Sequence, residues 1–234
     1  MMKHNRRRWA RLLGTIVVAG LAVCCRAQGR RHAPVGPDAV WNPPPNSWAR
    51  LHQSCGNGDR PECLPAFMKQ NGASPEAVSL AERFNGESFV SDFRNLGRVG
   101  LATLVSPFQA NANETPILVG GTPDIVNVSD ETNKLNLNRS AAFASIKRVF
   151  PNAVFGATVP RFEVIEELTS GGQRFMFLIS VRDGCSACDE VAVARLALDF
   201  DQFGLYLGSK LLGVLQPARN QPAAASGTPH PAGR

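Results

Sequence analysis

The sequence predicts a single α+β domain, an antiparallel β-meander with helices packed on one face, and three observations lead there. The last third of the chain alternates apolar and polar residues with a period of two through successive segments. Upstream lie two segments of helical spacing, each introduced by a serine. Both regions fall within residues 46–215, long enough for one core and flanked on either side by proline-rich sequence.

Taken in chain order, residues 1–27 read as a secretory signal peptide. Lys3, Arg6, Arg7, Arg8 and Arg11 form a basic head, an apolar run from Leu12 to Cys25 follows, and Cys25-Arg26-Ala27 supplies a cleavage pattern. The run is shorter than the roughly 17–25 residues of a membrane-crossing helix. Leu21-Ala22-Val23-Cys24 has the outline of a lipid-attachment motif, so a membrane enters the reading only through a lipid on Cys24. Residues 28–45, QGRRHAPVGPDAVWNPPP, read as an extended Pro-rich linker, and residues 216–234 as a disordered tail without core-forming side chains.

Within the domain, Ser74-Pro75 starts a helix whose inner face is Ala77, Leu80, Ala81 and Phe84, and Asn85-Gly86 stops it. Phe89, Phe93 and Leu96 are spaced for a further helical turn. Residues 98–105 form a strand; ILV and DIVNV, on either side of Gly120-Gly121-Thr122-Pro123, form two short ones. A second helix begins near Ser140, turns Phe143, Ile146 and Phe150 inward, and stops at Pro151. The meander then comprises 161–168, 173–182, 190–200 and a return strand after the Asp201–Gly204 turn. Phe175, Phe177, Ile179 and Val181 share one face of its second strand. Ala192, Ala194, Leu196, Leu198 and Phe200 share one face of its third.

Charge narrows the function. The chain carries a formal +6, but six of its 25 basic residues and none of its 19 acidic ones lie in residues 1–27. Residues 46–215 hold 15 basic and 18 acidic side chains, a net of −3, which excludes a phosphate-neutralising surface and hence nucleic acid as a partner. Acid–base chemistry has few candidates. Glu163 and Glu167 are expected on one strand face with Glu166 on the other, and Asp199 and Asp201 flank a turn. His52 is the one histidine in residues 46–215, so no catalytic residue, metal or cofactor is nominated.

The cysteines carry the chemistry instead. Cys55, Cys63, Cys185 and Cys188 lie beyond the leader and permit three pairings, of which the nearest-neighbour one is the most economical. A β-turn brings its first and fourth Cα atoms within about 7 Å, a separation a disulfide can span, so Cys185-Ser186-Ala187-Cys188 can close on itself between two strands. A thioredoxin-type centre would need a helix after the first thiol, and Asp183, Asp189 and Glu190 oppose a reactive thiolate there. Four cysteines suffice arithmetically for zinc, but an oxidising compartment favours bridges. The expected function is an exported, disulfide-stapled, non-enzymatic binding or inhibitor-like module. It would present Asp183, Gly184, Ser186, Ala187 and Asp189 to a protein partner outside the cytoplasm, in the periplasm or beyond the cell. The alternative is a thiol–disulfide redox protein using Cys185 and Cys188.

VRDGCSAC followed by ALDFDQFGLYLGSKLL, with NLGRVGLATLVSPFQAN and ILVGGTPDIVNV upstream, resembles a pattern found in uncharacterised exported bacterial proteins. The stapled loop followed by two strands is more distantly similar to the inhibitor of vertebrate lysozyme family. That resemblance implies a loop that plugs an enzyme's cleft. The family uses a loop histidine for this; here the ring holds Ser186 and Ala187, and only Cys185 and Cys188 correspond.

Overall fold

The computed structural model describes residues 35–56, 58–110, 113–155, 159–185 and 187–215, all within one compact unit. The signal-peptide reading of residues 1–27, the lipid site at Cys24, the tail at 216–234 and Ser186 lie outside the described residues.

Three helices open the described chain: α1 (Ser47–Cys55), α2 (Cys63–Gln70) and α3 (Pro75–Arg83). In α2, Leu64, Phe67 and Met68 recur at the three- and four-residue spacing of one helical face, and all three are buried. Ser74 caps α3, its hydroxyl accepting from the backbone N–H of Ala77 at 3.0 Å. Four strands follow in meander order, β1 (Phe89–Arg94), β2 (Gly100–Val105), β3 (Glu114–Val119) and β4 (Ile125–Asn127), every neighbouring pair antiparallel. Two helices, α4 (Val128–Lys134) and α5 (Ala141–Val149), lead to the second sheet. Its strands are β5 (Ala153–Phe155), β6 (Arg161–Glu167), β7 (Gln173–Asp183), β8 (Glu190–Phe200) and β9 (Tyr206–Leu215). β7, β8 and β9 run as a meander, and β5 and β6 both pair with β7, β6 along its first half and β5 at its end.

The inner face of the second sheet is the one the alternation marks. Phe175, Phe177, Ile179 and Val181 of β7 and Ala192, Ala194, Leu196, Leu198 and Phe200 of β8 are all buried. Two structures cover that face. At the Gln173 end, Phe175, Phe177, Leu198 and Phe200 meet Leu101, Leu118 and Val126 of the first sheet. At the other end, Phe143 and Ile146 of α5 pack on Val181 and Ala192. The side-chain amide of Gln173 joins the sheets, donating to Leu96 O at 2.6 Å and accepting from Val99 N at 3.0 Å. The fold is therefore α+β with helices on one face of the meander, and a second antiparallel sheet shares that cover.

Four departures from the sequence reading have physical causes. The boundary expected at residue 46 falls earlier, because Val35, Ala39 and Trp41 of the Pro-rich stretch are buried. Trp41 sets its ring edge-on to Phe89 at 4.8 Å and Phe67 at 6.3 Å. Residues 89–94, spaced for a helical turn, are strand β1. A register shift between Val90 and Asp92 breaks the strict alternation that would have marked a strand. Cys55, to which the sequence reading gives no element, ends helix α1, whose buried Ser47, Leu51 and Cys55 share one helical face. Finally, Glu163 and Glu166 share the outer face. The register shifts between Phe162 and Val164, so both carboxylates meet arginines of that face, Arg195 and Arg174.

The β8–β9 ladder also breaks register twice, leaving Leu207 and Leu212 of the edge strand without rungs.

Candidate functional site

The hairpin joining β7 to β8 carries the expected site. The ladder runs to Arg182, paired with Glu190 after a register shift at Val181. Beyond it, Asp183 N donates to Asp189 O at 3.1 Å and Cys188 N to Cys185 O at 3.2 Å, which closes the tip as a turn. Gly184 enters that turn with φ +91°, a conformation a side chain would strain. The Cys185–Cys188 disulfide spans the tip with Cα atoms 5.1 Å apart. The Arg182 guanidinium reaches around to donate to Cys188 O at 2.7 Å, fixing the tip from its root.

Arg182, which holds the tip from its root, is a side chain the sequence reading passed over. Its position before Asp183 was the available signal, since it faces the root of the same loop. Its Nε and the neighbouring Asp183 Oδ1 are buried without a hydrogen-bond partner among the described residues. Gly184, Cys185, Ala187 and Asp189 are exposed, while Asp183 and Cys188 are half-buried. The structure thus brings Asp183, Gly184, Ala187 and Asp189 together at one tip, with Ser186 outside the described residues.

The second bridge, Cys55–Cys63, has Cα atoms 5.7 Å apart and ties the end of α1 to the start of α2. Both separations lie inside the usual disulfide range of about 4.4–6.8 Å. With the four sulfurs so paired, no thiolate is left among them for zinc. A strand rather than a helix follows Cys188, so no helix dipole acts on that pair. Two disulfides belong to a protein of an oxidising compartment outside the cytoplasm. Among the described residues, no helix is long and apolar enough to cross a membrane.

Three of the carboxylates considered for acid–base work, Glu163, Asp199 and Asp201, are engaged otherwise. Glu163 accepts from Arg195 Nε at 2.6 Å, and this bond holds its carboxyl below the usual range. Asp199 accepts from Arg174 Nε at 2.7 Å and from Lys210 Nζ at 2.7 Å. The Arg174 bond lowers its pKa more than burial raises it. Asp201 Oδ1 accepts from the backbone N–H groups of Phe203 and Leu205, both at 2.8 Å, and so caps the β8–β9 turn. A general acid needs the opposite of the bias at Glu163 and Asp199.

Asp199 gives a pH prediction. Its folded pKa is depressed, so its contribution is present above the unfolded aspartate value near 3.8 and is lost as pH falls through the lower folded value. Asp199→Asn resembles the protonated acid, leaves Lys210 without its anion and leaves Arg174 only the more distant Glu166 at 3.9 Å. The variant should be less stable than the parent at neutral pH, and the gap should close on acidification below that value. Urea midpoints measured down the acid limb check this; a gap that persists there refutes it.

No family model, curated protein or solved structure matches the chain. Fold and site define it as a two-sheet α+β domain held by two local disulfides, one of which closes an exposed hairpin tip.

Proposed function

We propose that this protein is an exported binding module, inhibitor-like rather than enzymatic, which presents the 183–189 hairpin tip to a protein partner outside the cytoplasm. The observation that carries the reading is the combination of exposure and constraint at one place. Cys185, Ala187 and Asp189 are exposed, yet the tip is closed by a disulfide, by the Asp183–Asp189 and Cys185–Cys188 backbone bonds and by the Arg182 guanidinium. A loop already held in one conformation loses little entropy on entering a partner's cleft, so its contacts convert to affinity. The basic and apolar character of residues 1–27 supports export, as do the bridges.

Affinity capture from exported fractions tests the reading. The partner held by the parent chain should be lost when Asp183→Asn and Asp189→Asn are combined, and retained when the exposed Phe203, at the opposite end of the sheet, is replaced by Ala. Equal capture by the Asp-substituted chain refutes the loop as the contact. Thiol labelling after mild reduction addresses the redox alternative: a Cys185–Cys188 pair that exchanges readily would favour it over the binding module.

A further inference from the structure

A cleft of about 560 Å³ opens at the other end of the molecule from the hairpin tip. Tyr206, on its wall, pairs with Phe200 and so lies level with Gln173, while the tip continues from Asp183 at the far end of β7. The cleft is fixed in place by the β3–β4 turn, which docks on the β8–β9 turn. Thr122 N donates to Gly204 O at 2.8 Å, and Tyr206 N donates to Thr122 O at 2.9 Å. A Cβ on Gly121 would stand 2.6 Å from Gly204 O, so only glycine permits this approach.

Leu104, Ile117 and Ile125 give the cleft an apolar floor. Its charged side chains are Glu87, Asp130, Glu131 and Lys134. Two of these neutralise each other: Lys134 Nζ lies 2.5 Å from Glu131 Oε1, and the Tyr206 hydroxyl donates to Glu131 Oε2 at 2.8 Å. Burial opposes the charge on Glu131, but the bonds from Lys134 and Tyr206 outweigh it and hold the carboxyl below its ordinary range. Glu87 and Asp130, both exposed, make no salt bridge with any described residue. Lys134 feels the charge of Asp130 as well as that of Glu131, and three carboxylates against one ammonium leave the cleft net negative. Deeper in, Ser88, only 6% exposed, shares a single 2.7 Å hydrogen bond with Ser106. Two hydroxyls carry two hydrogens and four lone pairs, so this bond leaves both donor and acceptor capacity unspent beside the floor.

We infer that this cleft is a second binding site, independent of the hairpin tip, and that it takes a small organic cation, an ammonium group on a short apolar stem. The stem lies on the leucine and isoleucine floor, and the ammonium replaces its water with the Glu87 and Asp130 carboxylates and the serine oxygens. The volume falls within the roughly 300–1,000 Å³ of small-molecule sites. An anion would face three carboxylates against one ammonium there.

The chain supplies its own reporter, because Tyr206 is its one tyrosine. The full chain labelled with 13C at the tyrosine ring gives a single tyrosine signal from the cleft wall, titrated with benzylamine and, in parallel, with the uncharged benzyl alcohol. A saturable movement is expected with the amine alone. Glu87→Gln with Asp130→Asn should weaken it at least about tenfold, and raising salt should weaken it in the parent chain. Asp183→Asn with Asp189→Asn should leave it unchanged, which separates this site from the tip. No saturable movement up to about 10 mM amine, an equal response to the alcohol, or undiminished affinity in the Glu87/Asp130 variant would each overturn the proposal.

Discussion

Phe177→Ala is expected to lower the unfolding free energy by about 3–5 kcal/mol, the usual cost of removing a buried aromatic ring from a core that relaxes only in part. The side chain is fully buried between the sheets, in the cluster formed with Leu101, Leu118 and Val126, and meets Phe162 edge-on at 5.7 Å. Domains commonly hold only about 5–15 kcal/mol in total, so this one truncation removes a large share. Urea unfolding followed by tryptophan fluorescence should show a midpoint lowered by about 1 M or more at typical slopes. Phe203→Ala, on a side chain 74% exposed, should stay within about 0.5 kcal/mol. If the two variants behave alike, the sheets do not share the core described.

Replacing Cys55 and Cys63 by Ala is the second large effect. Closing a ring of nine residues removes chain entropy from the unfolded state worth about 2.6 kcal/mol at 25 °C. For a domain of this size, that corresponds to a fall in melting temperature of about 5–10 °C. Cys55 is also buried, at 4% exposure against Leu51 and Leu64, so its replacement loosens the contact between α1 and α2 as well as opening the ring. Cys185→Ser with Cys188→Ser opens a smaller ring, worth about 1.9 kcal/mol by the same relation, at a tip that packs against little. Calorimetry should therefore rank the α1–α2 bridge above the tip bridge. The reverse order would mean that the tip, rather than the helical pair, holds the domain together.

The parts of this fold that could be read from sequence are those where local pattern and tertiary role coincide. β7 and β8 alternate without interruption on their buried face because one side meets a core and the other meets water. Ser74 and Ser140 announce their helices because a cap is a local bond to the next turn. The hairpin tip was legible because the Cys185–Cys188 spacing and the flanking strands specify its closure together.

The misreadings share the opposite property. Phe89 and Phe93 are four apart, the period of a helix, and only their pairing with β2 makes them strand. Nothing near Trp41 indicates that a proline-rich stretch would find a slot between Phe67 and Phe89. The face of Glu163 depended on a register shift set by β7, which no local pattern encodes. The cleft was the least accessible: Glu87, Ser106, Asp130 and Tyr206 are far apart in the chain and meet through the β1–β2 pairing and the docking of the two turns at Gly121.

The two breaks of register in β9 bear on how the protein survives crowding. A rim strand lined with exposed leucines at 207, 212 and 215 would ordinarily invite its neighbours to stack into fibrils. Fibril spines generally recruit about six or seven consecutive residues in one flat ribbon. Here the longest uninterrupted stretch runs only from Gly208 to Leu211 and carries Lys210 within it. A second molecule arriving at that rim is offered too little flat template, and one that brings its own cationic repulsion.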